Sequence, residues 1–197
     1  MQVLPAQTVR DGPGFYPPAF VQTTFPGPGQ DKGNLCGSEF PRERLDVYPI
    51  KGLLRQYPEA YQYGVRDQIQ TLRRLLRDQP DLRAFRGKLG MLPFLPLGNC
   101  GQRVRAAERY ISFPGGAGIR SLVIFRQDYS PFLRREPLYS FQGLTNDGRY
   151  WVSFTFPVAP QFLAASEAEF RGEDLRAFRS PAYNFQDEAR GVARATR

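Results

Sequence analysis

At 197 residues the chain can bury one real core, and a single domain is the default. It contains no histidine, which excludes a Ser-His-Asp or Cys-His nucleophilic site and removes the commonest metal ligand. The net charge is +8 with only three lysines, Lys32, Lys51 and Lys88; the arginines are spread out, with no dense cluster beyond Arg73-Arg74, which argues against nucleic acid as the partner.

Residues 1–40 are rich in proline and glycine, as in Gly12-Pro13-Gly14, Pro17-Pro18 and Pro26-Gly27-Pro28-Gly29. Such a segment forms no long helix or central strand. Aromatic residues thread it, unlike a plain disordered linker. We therefore expect residues 1–44 to form an extended arm lying on its own domain or on a neighbour, with Phe15, Tyr16, Phe20 and Phe25 as contact residues. The first residues, MQVLPAQTVRDGPG, lack a basic region followed by an apolar one. That reads as a cytosolic protein, or as a mature or trimmed form.

Cys36 and Cys100 both stand beside glycine in turn-like contexts. Two free buried thiols are one reading; a disulfide is the other where the compartment is oxidising. Such a bond would close a loop of about 64 residues, stabilising by roughly 4 kcal/mol on the chain-entropy model. Two cysteines without histidine are too few for a metal site, so no metal or cofactor is expected.

Leu45 to Ile50 predicts a short strand ended at Pro49. Tyr57 to Arg77 predicts a long amphipathic helix, with Tyr61, Val65, Ile69, Leu72 and Leu76 as one apolar stripe and Pro80 as its stop. Met91 to Leu97 reads as a buried extended connector because of Pro93 and Pro96. Gly101 to Arg109 suits a short helix or the start of a strand. Strands follow near Tyr110–Phe113, Ser121–Phe125, Leu138–Leu144 and Tyr150–Phe156. In the last, Tyr150, Val152, Phe154 and Phe156 alternate with Trp151, Ser153 and Thr155, the period of a half-buried strand. Thr145-Asn146-Asp147-Gly148 supplies hairpin turn residues. Ala164 to Phe178 predicts a second helix, and residues 184–197 a polar tail. The expected class is α+β: residues 45–183 form an antiparallel meander of about four to six strands, packed by the long helix and the C-terminal helix.

Candidate chemistry is sparse. Asp128, Glu136 and Asp147 are the carboxylates a histidine-free hydrolase would use, while a turn explains Asp147 equally. Gly115-Gly116-Ala117-Gly118 lacks the Lys and Ser/Thr of a phosphate loop and precedes a strand, so it reads as a turn. Gln142 and Thr145 can recognise a ligand or tie the hairpin together. Trp151 can stack on a sugar or partner, or pack under the arm or a helix. Arg120 and Arg126 can face an anion or solvent.

The order of motifs resembles an uncharacterised family of bacterial extracytoplasmic proteins. The matching segments are Val47-Tyr48-Pro49-Ile50, Leu92-Pro93-Phe94-Leu95-Pro96, Tyr110-Ile111-Ser112-Phe113 with Gly118-Ile119-Arg120, and Tyr139-Ser140-Phe141-Gln142-Gly143-Leu144-Thr145-Asn146-Asp147-Gly148-Arg149-Tyr150-Trp151-Val152 ending Pro157-Val158. The resemblance covers roughly residues 45–160. It implies export across the inner membrane and no established activity or catalytic residues. Cys100 replaces a small residue of the family pattern and Cys36 lies outside it, so the pair looks like an added staple. The leading expectation is a non-enzymatic accessory or binding subunit of a cell-envelope complex, meeting a protein partner through the arm. The alternatives are a hydrolase of an envelope polysaccharide and an arginine-rich binder of nucleic acid or anionic lipid.

Overall fold

A computed structural model describes residues 1–7, 15–25, 33–35, 38–40, 43–57, 64–85, 91–98, 100–127 and 130–170. Seven strands form one antiparallel sheet. In chain order they are β1 (Gln2–Leu4), β2 (Phe20–Thr24), β5 (Arg44–Pro49), β6 (Gly101–Phe113), β7 (Gly116–Arg126), β8 (Leu138–Thr145) and β9 (Tyr150–Pro157). Between β2 and β5, β3 (Gly33–Leu35) and β4 (Ser38–Phe40) make a separate two-stranded ladder. Across the sheet the order is β1-β2-β5-β9-β8-β7-β6.

Two short helices, α1 (Ile50–Gln56) and α2 (Val65–Asp78), follow β5. α2 begins at Gly64, carries Asp67 in its first turn and Arg77 in its last, and ends at Gln79 in the left-handed region before Pro80. The charges suit the helix dipole. Val65, Ile69, Leu72 and Leu75 are buried, the three-and-four spacing that lays one stripe against a sheet. They join Tyr48, Ile50, Leu53, Leu95, Ile119, Leu144 and Trp151 in the main core.

This corrects the α+β expectation. Among the described residues the domain is mainly β, with two short helices and a seven-stranded sheet in place of a long helix packing a four-to-six-strand meander. The residues expected as an extended arm on the domain or on a neighbour supply β1 and β2, and β2 pairs with β5 from Val21 opposite Val47 to Thr24 opposite Arg44. The expected strand near Tyr110 is 13 residues long and starts at Gly101. Its alternation is broken by register shifts between Gln102 and Val104 and between Ala106 and Arg109, so no single period of two runs through it. The expected C-terminal helix is one 3-10 turn, Glu167–Glu169, within the described residues; its remainder and the polar tail lie outside them, as do residues 58–63 of the expected long helix.

The buried face of the sheet is its more polar one. β9 has the expected period of two, yet Trp151, Ser153 and Thr155 face the helices, while Tyr150 and Phe156 are exposed. β8 does the same: Ser140, Gln142 and Leu144 are buried and alternate with Tyr139 and Phe141. A polar inner face is tolerated only if every group on it finds a partner.

Candidate functional site

Much of the inner face finds partners in the connector Met91–Leu97, which itself forms no strand. Three glutamines accept from its backbone N–H groups. Gln102 Oε1 accepts from Leu92 N at 2.9 Å, Gln68 Oε1 from Phe94 N at 3.1 Å, and Gln142 Oε1 from Leu95 N at 3.1 Å. Gln142 Oε1 also accepts from Trp151 Nε1 at 2.8 Å, and its Nε2 donates to Ser153 Oγ at 2.9 Å. Ser153 Oγ donates to Leu95 O at 2.6 Å. Gln142 and Trp151, each read from the sequence as either a ligand contact or a structural group, are buried structural groups joining the Leu-Pro-Phe-Leu-Pro segment to the β8–β9 hairpin.

The aromatic candidates of the N-terminal residues divide. Phe15 stacks on Tyr57 and meets Tyr48 edge-on, and Phe20 stacks on Tyr48 at 4.8 Å between centroids. Tyr57 Oη donates to Tyr16 O at 3.0 Å, and Gln56 Nε2 donates to Tyr16 O at 2.7 Å. Phe15, Tyr16 and Phe20 thus dock on their own domain. Phe25 is 45% exposed and meets Phe154 edge-on across the other face of the sheet.

Burial of this aromatic cluster raises the Tyr57 phenol to about 12. It also lifts Tyr48 well above the ordinary value near 10, helped by the negative charge of Asp46. Unfolded tyrosines lose their protons near pH 10 while these two keep theirs, so the unfolded state binds fewer protons above that pH. Stability is expected to be constant below pH 10 with respect to these groups and to fall as pH rises toward 12. Urea midpoints at pH 8, 10 and 11 check this, and Tyr57→Phe should flatten the decline.

Arg126 holds a loop. Its Nε donates to Glu136 Oε1 at 2.6 Å, it contacts Ser130, and its guanidinium lies 5.9 Å from the Phe132 ring centre. Glu136 Oε2 also accepts from Leu133 N at 2.7 Å. Asp147 closes the hairpin turn, accepting from Thr145 Oγ1 at 2.5 Å and Arg149 N at 3.0 Å. The Thr145 hydroxyl bond is the main reason its carboxyl sits below the usual range. Glu136 and Asp147 flank opposite ends of β8, on the order of 25 Å apart at the rise of a strand, so they do not form a carboxylate pair. Asp128 and Cys36 lie outside the described residues. Cys100 is not a free thiol.

The remaining candidate, Arg120, lies on the sheet face away from the helices. One row across that face runs Thr23, Leu45, Phe154, Phe141, Arg120, Arg109. Around it stand Tyr139, Val152, Leu122, Ile111 and Phe113, all partly exposed, with Phe25, Tyr150 and Phe156 more so. Phe113 and Phe141 meet edge-on at 5.8 Å. A loop anchored by the Leu133–Ala164 bridge covers one end of the face, where Val104, Ile124, Phe132 and Leu163 cluster. Sequence reading left Gly101 to Arg109 open between a short helix and the start of a strand, so it could not place Arg109 opposite Arg120.

The glycines of the Gly-Gly-Ala-Gly and Phe-Gln-Gly motifs shape this face. A Cβ at Gly118 would stand 2.4 Å from Phe141 Cζ and 2.6 Å from the Gln142 carbonyl oxygen, and one at Gly116 would stand 2.2 Å from Phe113 Cζ. Gly115, at φ 89°, makes the expected turn between β6 and β7, while Gly116 and Gly118 lie in the strand beneath the rings. Gly118→Ala is expected to lower stability by about 1–3 kcal/mol through overpacking, seen as a lower urea midpoint and loss of the Phe141 ring's packing shifts in proton NMR.

Comparison of the chain with protein-family models, with curated proteins and with solved structures finds no match.

Proposed function

We propose that this chain is a non-enzymatic, extracytoplasmic binding domain, an accessory subunit of a bacterial cell-envelope complex, and that it meets its protein partner on the outer face of the sheet. The observation that carries the reading is the distribution of aromatic side chains. Tyr150 and Phe156 are 36% and 45% exposed while Ser140, Gln142, Ser153 and Thr155 are buried behind them. Aromatic and arginine side chains on a patch with no lysine among the described residues have the composition of protein interface centres. The outer face replaces the N-terminal arm as the contact surface, because Phe15, Tyr16 and Phe20 are engaged within the domain. No helix among the described residues is long and apolar enough to cross a membrane. The extracytoplasmic assignment rests on the family resemblance and on the expected Cys36–Cys100 staple.

The test is native electrophoresis of the envelope fraction of the source cell, comparing the wild-type chain with Phe156→Asp. That exposed substitution should leave folding stability within about 0.5 kcal/mol. The expected result is a high-mass complex containing the wild-type chain, loss of that complex with Phe156→Asp, and a Cys36–Cys100 peptide under non-reducing conditions. A free wild-type protein with reduced thiols overturns the proposal.

A further inference from the structure

Two arginines sit directly opposite one another on the outer face, Arg109 on β6 and Arg120 on β7. Like charges at such positions destabilise a sheet. Arg120 Nε is buried and has no hydrogen-bond partner, and no ion pair engages either residue among the described residues.

The local register explains how the pair arises. Val104 and Ala106 stand opposite Ile124 and Leu122. Continued alternation would put Glu108 opposite Arg120, an ordinary cross-strand ion pair. Instead β6 gains one residue between Ala106 and Arg109, with Ala107 in the left-handed region at φ 54°. The bulge moves Arg109 into the position and turns Glu108 to the inner face, where it pairs with Arg105 at 3.1 Å. Arg105 in turn donates to the Leu82 and Phe85 carbonyl oxygens at 3.1 and 2.9 Å. The carboxylate that would neutralise Arg120 is thus fixed on the other side of the sheet. Bulges that re-aim side chains in this way cluster at functional positions.

We propose that Arg109 and Arg120 form a carboxylate subsite, and that the occupant of the outer face is a protein segment presenting a Glu or Asp between bulky apolar side chains. This rests on the binding-domain reading above and specifies its partner's chemistry. Two planar guanidiniums match a carboxylate by paired hydrogen bonds, and Phe141, Phe154, Leu122 and Ile111 supply the apolar flanks. Recognition of an anionic bilayer uses clusters of about four to eight basic residues; here two stand in an aromatic surround.

The probes are the peptides Ac-Ser-Leu-Glu-Phe-Ser-NH2 and its Gln counterpart, followed by amide NMR shifts in the full chain, with phosphatidylglycerol vesicles in a sedimentation arm. The Glu peptide is expected to shift Arg109, Arg120 and Phe141 and to bind about tenfold more tightly than the Gln peptide, a difference that Arg109→Gln should abolish. Arg109→Glu should raise the urea midpoint, by restoring the ion pair that the bulge prevents, while abolishing Glu-peptide binding. A stability gain joined to a binding loss is not what a purely structural residue gives. Equal binding of the two peptides, no binding of either, a lower midpoint for Arg109→Glu, or vesicle binding that depends on the arginines overturns the proposal. If the envelope complex forms with wild type and with Arg109→Glu alike, this inference fails and the binding-domain reading stands. If neither assembles, that reading fails first.

Discussion

Replacing Gln142 with leucine is expected to lower the stability of the domain by about 3–5 kcal/mol. Leucine fills a similar volume, so packing is roughly conserved and the cost is polar. Gln142 Oε1 is the acceptor for both Leu95 N and Trp151 Nε1. Both donors lie in the core, and each buried donor left unpaired costs about 1–3 kcal/mol. Leu95 O keeps the Ser153 hydroxyl at 2.6 Å, so the connector is loosened on one side only. Urea unfolding should show a lower midpoint at unchanged slope. Trp151 is the chain's single tryptophan, so its emission reports the freed indole N–H before any unfolding. Ser140→Ala removes only the 3.3 Å contact to Gln142 Nε2 and should cost much less. Equal midpoints for Gln142→Leu and wild type would show that the connector is held by packing alone.

Asp46→Ala is expected to cost a similar 3–5 kcal/mol, for a different reason. The Asp46 carboxylate is fully buried. It pairs with Arg44 at 2.8 Å and accepts from Gln22 Nε2 at 2.9 Å and Tyr48 Oη at 2.8 Å. Removing it takes the buried counter-charge from a guanidinium that is itself 7% exposed. Loss of a carboxylate partner in that setting is more costly than the pair is stabilising. The double variant Arg44→Met/Asp46→Leu should therefore recover the charge part of the loss but not the cost of leaving Gln22 Nε2 and Tyr48 Oη without their acceptor. The cluster ties β2 to β5. If the double variant is as unstable as Asp46→Ala, the register between these strands depends on the polar network itself.

Much of the local structure is legible from local chemistry. The hairpin turn at Thr145–Gly148 follows from Asn, Asp and Gly, and Asp147 and Gly148 perform the expected roles. The apolar stripe Val65, Ile69, Leu72 predicts the buried side of α2, and the period of two predicts β9. Sequence alone showed only the end of β6, near Tyr110–Phe113, and left Gly101 to Arg109 open between helix and strand, because two bulges break the alternation within 13 residues. It allowed the N-terminal residues to lie on their own domain without showing a strand there: Phe20–Thr24 is short and in a proline-rich setting, and only its pairing with β5 makes it part of the sheet.

The candidate site was legible only in part. Arg120 and Phe25 were singled out and do lie on the outer face, while Gln142, Trp151, Phe15, Phe20 and Arg126 are engaged in holding the domain together. Arg109 was invisible, since its significance comes from a neighbour on another strand.

The amino-acid sequence by itself determined the absence of histidine chemistry, the hairpin turn, the helical stripe and the spacing of the strand residues, because each depends on side chains a few positions apart. The tertiary structure decided which face of the sheet is inside. Hydrophobicity alone points Tyr150, Val152, Phe154 and Phe156 inward. They face outward because Gln142, Ser153 and Trp151 make hydrogen bonds to one another and to a connector some 50 residues away in sequence, and those bonds exist only once the strands are assembled.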